Sequence, residues 1–274
     1  MIAWLLLTFA VCILLRFPIA FALGISCLTY LLVSGTPLII LPMKMYSGID
    51  VFVLLSIPGF ILAGNLMNYG GLTEKIVGFC NHLVGHIRGG LALANIAASM
   101  LFAGISGTAI SDTASIGSVM IPAMKKEGYD ADFACAVTAS SSTVGPIIPP
   151  SVSMIIAATL TGLSVGKLFL AGAIPGFLLG ISLLGYTFYV SRKRKYPKHA
   201  RSSLGQIGRS FLDTFWALLM TVIILYGIIG GFFTPTEASI VAVLYALVIG
   251  IFVYQKLTLK RAIVVVLDSM KTSA

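Results

Sequence analysis

Long apolar runs, separated only by short polar stretches, follow one another along almost the whole chain. Of the 274 residues, 58% are hydrophobic and only 10% are charged, and the mean hydropathy is +1.03. Soluble globular chains carry about 25% charged residues, so the charges here are too few to cover a water-facing surface. The chain is therefore predicted to be an integral membrane protein. Its net charge of +9 is interpreted as a sign of membrane orientation rather than of nucleic-acid binding.

The apolar runs have the length and continuity of membrane helices. A helix needs about 20 apolar residues to cross the hydrocarbon core of a bilayer. Charges and Gly/Pro clusters divide the sequence into nine candidate segments, at residues 2–15, 18–33, 51–68, 91–107, 109–124, 134–160, 168–190, 211–233 and 237–254. A membrane barrel would instead alternate apolar and polar residues over stretches of about ten positions. The predicted fold class is all-α and multi-span.

The distribution of basic residues predicts which ends of these segments face the cytoplasm. The short stretch 191–209 carries seven of the eighteen Lys and Arg residues, and short basic loops remain on the cytoplasmic side. Counting outward from this loop places every other Lys and Arg on the same side except Lys44 and Lys167. This orientation puts Met1 on the outer side of the membrane.

Residues 91–125 are predicted to form a re-entrant helical hairpin. Both ends face the cytoplasm in this orientation, and each arm of about 17 residues is only about 25 Å long, which is short for a full crossing. The middle, residues 104–115, reads GISGTAISDTAS. Small residues and hydroxyls are expected there because backbone at membrane depth must be buried in protein or line a cavity. Two ordinary crossings with a small-residue packing face are the alternative.

Asp112 lies close to the predicted turn of this hairpin. It needs a partner, because a carboxylate at the centre of a bilayer costs about 2.5–3.5 kcal/mol or more. Two compatible interpretations are open. In one, Asp112 supports a cation site or orients the turn. In the other, it caps the second arm near its amino end, where negative charge is favoured.

The segment 134–160 is predicted to be a discontinuous helix. Residues 140–151 read SSSTVGPIIPPS. Three prolines within five positions cannot lie in a continuous helix, because each removes a backbone donor and clashes with the preceding turn. The first half is expected to end near Thr143. The second is expected to start at Pro149 or Pro150, since proline is favoured in a first helical turn. A simple kink is the alternative.

The hairpin turn and the helix break together predict a site for a cation and an anion. A half-helix exposes carbonyl oxygens at its end, and the next half exposes N–H groups at its start. Carbonyls and hydroxyls suit Na⁺, whereas a helix start suits a carboxylate. These groups favour cation-coupled transport of an organic acid. An intramembrane enzyme would need paired reactive groups and a channel a charged ring or carbonyl filter, and the sequence suggests neither.

Five motifs are specific enough to be compared with known families. They read IPGFILAGNLM at 57–67, GISGT at 104–108, IGSVMIPAM at 116–124, GPIIPPS at 145–151 and GFFTPTEAS at 231–239. These motifs resemble the large membrane subunit of the tripartite ATP-independent periplasmic (TRAP) transporters. The resemblance implies a multi-pass permease of the bacterial inner membrane, and the distribution of basic residues then gives it a periplasmic N-terminus. The resemblance further implies two protein partners. One is a small membrane subunit within the same lipid bilayer, and the other is a soluble periplasmic substrate-binding protein.

The resemblance also implies a mechanism and a substrate class. Family members import organic acids, including C4-dicarboxylates, sialic acid and other sugar acids, together with Na⁺. An elevator domain moves against a static scaffold during transport. No enzyme activity is implied, and no cofactor other than the coupling ion.

Carried over position by position, the resemblance implies a Na⁺ site between the hairpin turn and the helix break, with Ser106 and Gly145 at its centre. The expected cation-binding residues are Ser106, Gly107, Thr108, Gly145, Pro146 and Pro149. The expected substrate-binding residues lie beside them and are Thr108, Ser111, Asp112, Ser142, Thr143, Pro150 and Ser151.

The domain organisation implied by the resemblance consists of two inverted repeats. The expected parts are scaffold helices at 1–90, transport elements at 91–165 with the hairpin 91–125 and the broken helix 134–160, a connecting helix with a basic cytoplasmic loop at 166–209, and the start of a second repeat at 210–274. The second repeat is incomplete in this sequence, so a fragment is expected. The alternative function is an inactive or structural fragment that needs a complementing second half.

Overall fold

The computed structural model describes residues 2–273, which are helical with short connections. The chain divides into two compact units, Met1–Val51 and Phe52–Ala274. The first unit contains helices α1 (Ile2–Leu14), α2 (Ile19–Ser34) and α3 (Ile40–Ile49). Most of its large apolar side chains are exposed, as expected of helices that face lipid or another membrane protein.

The second unit contains the hairpin and the broken helix. After a 3-10 turn at Phe52–Leu55, its helices are α4 (Ser56–Tyr69), α5 (Leu72–Val84), α6 (Gly90–Ser106), α7 (Ala109–Lys126), α8 (Ala131–Ser142), α9 (Val152–Thr161), α10 (Val165–Lys193), α11 (Leu204–Ile229), α12 (Pro235–Val248) and α13 (Leu259–Ser273). A π-helical turn, Ile249–Val253, extends α12.

The all-helical membrane fold predicted from composition is confirmed. Within the described residues, four stretches are long and apolar enough to cross a membrane, namely Phe52–Tyr69, Val165–Lys193, Leu204–Ile229 and Pro235–Val253. Helices α6 and α7 have 17 and 18 residues and form a hairpin. The positions of both arms agree with the predicted segments to within two residues.

Three helices, α3, α5 and α13, lie outside the nine predicted segments. They carry charged residues, which interrupt apolarity along the sequence without interrupting a helix. Helix α13 shows the reason, because its buried residues Ala262, Val265 and Ser269 recur three and four positions apart and form one stripe. A search for continuous apolar runs does not detect such a stripe.

The predicted interruption of the helix at 134–160 is confirmed, but its second half starts later than expected. Helix α8 ends at Ser142 and α9 begins at Val152. Ser151 caps α9, and its hydroxyl accepts the N–H of Met154 at 3.3 Å. Pro149 and Pro150 therefore precede the helix instead of starting it. The physical reason is that a residue followed by proline is driven towards extended backbone, whereas serine satisfies free N–H groups at a helix start.

A row of glycines on α10 allows the chain between α8 and α9 to approach closely. A Cβ atom on Gly172 would lie 2.9 Å from the carbonyl oxygen of Ile147, and one on Gly176 would lie 2.8 Å from the side chain of Ile148. Gly180 faces Met100 of α6 in the same way. Small residues at four-residue spacing let backbones pack in this manner.

A cluster of aromatic and ionic side chains joins the α7–α8 connection to the end of α10. Asp130 Oδ2 accepts hydrogen bonds from Arg194 Nη1 and from the hydroxyl of Tyr196, each at 2.6 Å. The rings of Tyr129 and Tyr196 stack with their centroids 4.4 Å apart, and the guanidinium of Arg194 lies 5.5 Å from the ring centroid of Phe133. We call these five residues the ionic cluster.

Candidate functional site

The hairpin turn and the helix break, which are distant in sequence, lie in direct contact. The N–H of Val152 donates a hydrogen bond to the carbonyl oxygen of Gly107 at 3.3 Å. A Cβ on Gly107 would lie 2.8 Å from the carbonyl oxygen of Pro150, and one on Gly145 would lie 3.3 Å from that of Thr108. Gly107 also has a φ of +61°, which glycine adopts without strain. Gly107 thus leaves no room for a side chain and Gly145 leaves little, and we call this junction the turn–break contact.

Uncharged oxygen atoms surround the turn–break contact. The buried hydroxyl of Ser106 lies 3.5 Å from the carbonyl oxygen of Thr108. The carbonyl oxygen of Pro146 accepts a hydrogen bond from Ser151 Oγ at 2.6 Å. The carbonyl oxygen of Pro149 faces α6, 3.5 Å from where a Cβ on Gly104 would lie. The structure thus brings Ser106, Gly107, Thr108 and Gly145 together, whereas the Pro146 oxygen is already engaged and the Pro149 oxygen points to α6.

Thr108 and Asp112 have separate roles at the start of α7. The side chain of Thr108 caps the helix by accepting the N–H of Ser111 at 3.3 Å. The carboxylate of Asp112 is fully buried, and its Oδ2 accepts a hydrogen bond from Ser142 Oγ at 2.6 Å. Its Oδ1 has no hydrogen-bond partner among the residues described. Thr108, and not Asp112, is therefore the N-cap residue of the arm. The carboxylate of Asp112 lies in the first turn, where negative charge is favoured, and bonds to α8.

A buried polar network continues from this pair between α6 and α8. Ser99 Oγ lies 3.0 Å from Ser141 Oγ, and Asn95 Nδ2 donates to Thr138 Oγ1 at 2.6 Å. All four residues are buried. Buried polar side chains are stabilised when they pair with one another, so this network fixes the first half of the broken helix to the first arm of the hairpin.

A cleft of about 430 Å³ opens beside the hairpin turn, within the size range of small-molecule sites, roughly 300–1,000 Å³. It lies among α4, the hairpin and the end of α13. Its walls are formed by Ile61, Gly64, Asn65, Asn68, Tyr69, Ser106, Thr108, Ile110, Ser111, Ala114, Ser115 and Thr272. None of these described lining residues carries a charge, and hydroxyls and amides provide its polar groups.

The predicted substrate-binding residues do not share one surface. Thr108 and Ser111 line the cleft. Asp112 and Ser142 are buried and paired with each other, and Pro150 and Ser151 are buried beneath the turn. Thr143 is exposed at the end of α8 and is not one of the residues that line the cleft.

Several residues that line the cleft were not predicted, notably Asn65 and Asn68 of α4, Ser115 of α7 and Thr272 of α13. A signal was present for the two asparagines. They lie three positions apart in an otherwise apolar segment, and this spacing places both on one helix face. Polar side chains within a membrane helix face a protein interior or a cavity.

These features define a polytopic α-helical membrane protein with a hairpin and an interrupted helix that meet at an uncharged polar site. The family model described as tripartite ATP-independent periplasmic transporter, DctM component, matches residues 6–274. The chain therefore belongs to the DctM family of TRAP transporter permeases. Members of this family are transporter subunits and not enzymes.

Individual relatives agree with this assignment. The chain is 40% identical over 261 residues to the sialic acid TRAP transporter permease protein SiaT of Haemophilus influenzae, covering 95% of this chain and 42% of the relative. It is 42% identical over 272 residues to the sialic acid TRAP transporter large permease protein SiaM of Vibrio cholerae, covering 99% and 62%. It is also 42% identical over 251 residues to the C4-dicarboxylate TRAP transporter large permease protein DctM of Pseudomonas aeruginosa, covering 91% and 59%. The chain thus spans about half the length of these relatives.

Proposed function

We propose that this chain provides the first hairpin and the first broken helix of a Na⁺-coupled permease that imports organic acids. The observation that carries the proposal is the turn–break contact. Gly107 and Gly145 let two stretches of irregular backbone meet, and oxygen atoms without net charge gather around them. Interrupted helices of this kind supply carbonyl groups to Na⁺ and helix starts to anions in secondary transporters.

The proposed Na⁺ site lies at Ser106 and Gly145 and includes Gly107 and Thr108. Pro146 and Pro149, whose carbonyl oxygens face Ser151 and α6, hold the shape of the helix break beside it. The fit of the donors supports it, because Ser106 Oγ and the Thr108 carbonyl oxygen lie 3.5 Å apart and are hard oxygen ligands. Asp112 adds a buried negative charge one helical turn beyond the Thr108 cap. A cation close to the turn would offset the cost of burying this charge.

The proposed substrate site is the cleft beside the turn, reached through Thr108 and Ser111. Sialic acid and C4-dicarboxylates, which appear in the names of the relatives, are carboxylates. We assign the same class of substrate to this chain. Asp112, Ser142, Thr143, Pro150 and Ser151 then act from behind the cleft or in another state of the transporter.

We place the hairpin turn at membrane depth, the N-terminus in the periplasm and the basic segment after α10 in the cytoplasm of a bacterium. In this arrangement a small membrane subunit and a periplasmic binding protein complete the assembly, and the hairpin with the broken helix moves as an elevator. Because the relatives are longer than this chain, uptake is assigned to the complete transporter that contains these residues.

The test is uptake into proteoliposomes that contain the complete transporter, its small subunit and its binding protein. Labelled sialic acid and C4-dicarboxylates are offered with Na⁺, choline or K⁺ outside. Uptake is expected only with Na⁺, because the anion site forms next to an occupied cation site. Equal uptake in choline would contradict the coupling.

The position of the cation site is tested by Ser106→Ala and Thr108→Ala. Ser106→Ala removes a proposed ligand, and Thr108→Ala removes the hydroxyl that caps α7 and so fixes the backbone carbonyl of Thr108 at the turn. In each variant the Na⁺ concentration for half-maximal uptake is expected to rise about threefold to tenfold. Thr113→Ala is the matched control, because Thr113 lies in α7 close to the turn and its exposed hydroxyl bonds, among the described residues, only to the carbonyl oxygen of Ala109, at 2.9 Å. An unchanged Na⁺ response in both Ser106 and Thr108 variants would place the site elsewhere.

A further inference from the structure

Two asparagines of α4 share the cleft with the hairpin turn. Asn65 and Asn68 line it together with Ser106, Thr108 and Ser111. They lie three positions apart, so their side chains leave the same face of the helix. Both are partly buried, and the residues next to them in α4 are mostly apolar. Amide side chains in such surroundings are stabilised by a polar partner, so we expect a polar group to occupy the cleft during part of the transport cycle.

Each amide group uses one of its two ends within the protein. Asn65 Nδ2 donates to Ser269 Oγ of α13 at 2.9 Å, and Asn68 Oδ1 accepts from Thr73 Oγ1 of α5 at 2.5 Å. These bonds link the two amides to their internal partners. They leave Asn65 Oδ1 as an acceptor and Asn68 Nδ2 as a donor, and neither atom has another hydrogen bond within residues 2–273.

We propose that Asn65 and Asn68 are substrate-binding residues that select hydroxylated organic acids. This inference rests on the proposed function. Asn68 Nδ2 donates to a carboxylate or carbonyl oxygen of the substrate, and Asn65 Oδ1 accepts from a substrate hydroxyl or amide N–H. An ionised carboxylate is only an acceptor, so an unsubstituted dicarboxylate leaves Asn65 Oδ1 unpaired in a partly desolvated cleft. The free-energy cost of leaving a buried acceptor unpaired is larger than the net free energy gained from a typical hydrogen bond.

The probes are malate, succinate and sialic acid, offered to the reconstituted complete transporter in Na⁺. Malate and succinate differ by one hydroxyl, so the wild-type membrane subunits are expected to bind malate or sialic acid more tightly than succinate when the binding protein is left out. Asn65→Leu is expected to raise the KM for the hydroxylated acid about threefold to tenfold and to leave that for succinate nearly unchanged. A wild type that prefers succinate would overturn the inference.

Asn68 is tested with two variants. Asn68→Leu removes the donor and is expected to raise the KM for every acid that is transported. Asn68→Asp keeps the shape of the side chain and adds a negative charge, so it is expected to raise the KM of these anions further. The Na⁺ concentration for half-maximal uptake should not change in either variant, which separates these residues from Ser106.

Matched controls separate substrate binding from packing. Ser269→Ala and Thr73→Val remove the internal partners of the two amides and leave both amides in the cleft. These controls are expected to shift the KM less than the asparagine variants do. Equal shifts would show that the asparagines only hold α13 and α5 in place, and would overturn the inference.

The failure of this inference differs from failure of the proposed function. If none of the three acids is taken up or bound with Na⁺ present, the proposed function is wrong and the inference fails with it. If uptake is Na⁺-dependent and the asparagine variants keep the wild-type KM values, only the assignment of Asn65 and Asn68 is wrong.

Discussion

The turn–break contact and the ionic cluster join the same group of helices at different places and by different means. At the turn–break contact, Gly107 and Gly145 bring backbone against backbone, and no charged group takes part among the residues that touch there. At the ionic cluster, Asp130 accepts hydrogen bonds from Arg194 and Tyr196, and the rings of Tyr129 and Phe133 pack against that of Tyr196.

The difference between the two junctions follows from their surroundings. Charged side chains are expensive where water is excluded, so contacts there are made by backbone and small residues. The side chains of Arg194 and Asp130 are 43% and 55% exposed, and water can solvate them. Exposed ion pairs contribute little to stability. The turn–break contact should therefore be far more sensitive to substitution than the ionic cluster.

The largest effect is expected from Gly107→Ala. The new Cβ would lie 2.8 Å from the carbonyl oxygen of Pro150 and would sit on backbone with φ of +61°. Such overpacking costs about 1–3 kcal/mol and the left-handed backbone about 1–2 kcal/mol more, so uptake should be almost lost. The matched control is Gly162→Ala, because Gly162 has φ of +69° with nothing within 4 Å. Equal losses in both variants would show that backbone strain, and not the close contact, is responsible.

An intermediate effect is expected from Asp112→Asn, which keeps the shape of the side chain and removes its charge. If the buried carboxylate supports the nearby cation, the Na⁺ concentration for half-maximal uptake should rise about tenfold, since bonds to charged groups are about twice as strong as neutral ones. Ser142→Ala, which removes only the hydroxyl bonded at 2.6 Å, should cause a smaller rise. The reverse order would show that Asp112 serves packing against α8 rather than the cation.

The smallest effect is expected at the ionic cluster. The hydroxyl of Tyr196 and the guanidinium of Arg194 hold the pKa of the Asp130 carboxyl below its usual range. A lowered pKa stabilises the folded state above the unfolded value of about 3.9, and this contribution is lost as the pH falls through the lower folded value. The melting temperature of Asp130→Asn should lie a few degrees below that of the wild type, and this difference should stay roughly constant from pH 5 to 8. The difference should shrink below about pH 4. A difference that grows on acidification would contradict this origin.

The elements of the site could be predicted from the sequence, whereas much of its lining could not. Prolines at 146, 149 and 150 exclude a continuous helix by their covalent structure, so the break was visible. Glycine and hydroxyl residues marked the turn. The wall of the cleft depends instead on α4 meeting α13, and Asn65 bonds to a residue 204 positions away. Such a long-range pairing cannot be predicted from the residues next to Asn65 in the sequence.

The same limit applies to Asp112. Its sequence position near the start of an arm was compatible with capping, and only the folded chain shows that Thr108 takes that role while Ser142 approaches from α8. Helix α9 is similar, because a proline and a serine compete for its start and the tertiary position of the Gly107 carbonyl helps to decide the outcome. Backbone chemistry can be anticipated, but the partners of individual side chains depend on packing.

The glycine row of α10 has a mechanical consequence. Gly172 and Gly176 let residues 147 and 148 of the interrupted segment pack directly against the backbone of α10. These two residues therefore occupy a groove that the neighbouring side chains of α10 border. Sliding along α10 would drive side chains into Ile147 and Ile148. A displacement of residues 147 and 148 would therefore have to carry this helix of 29 residues with it.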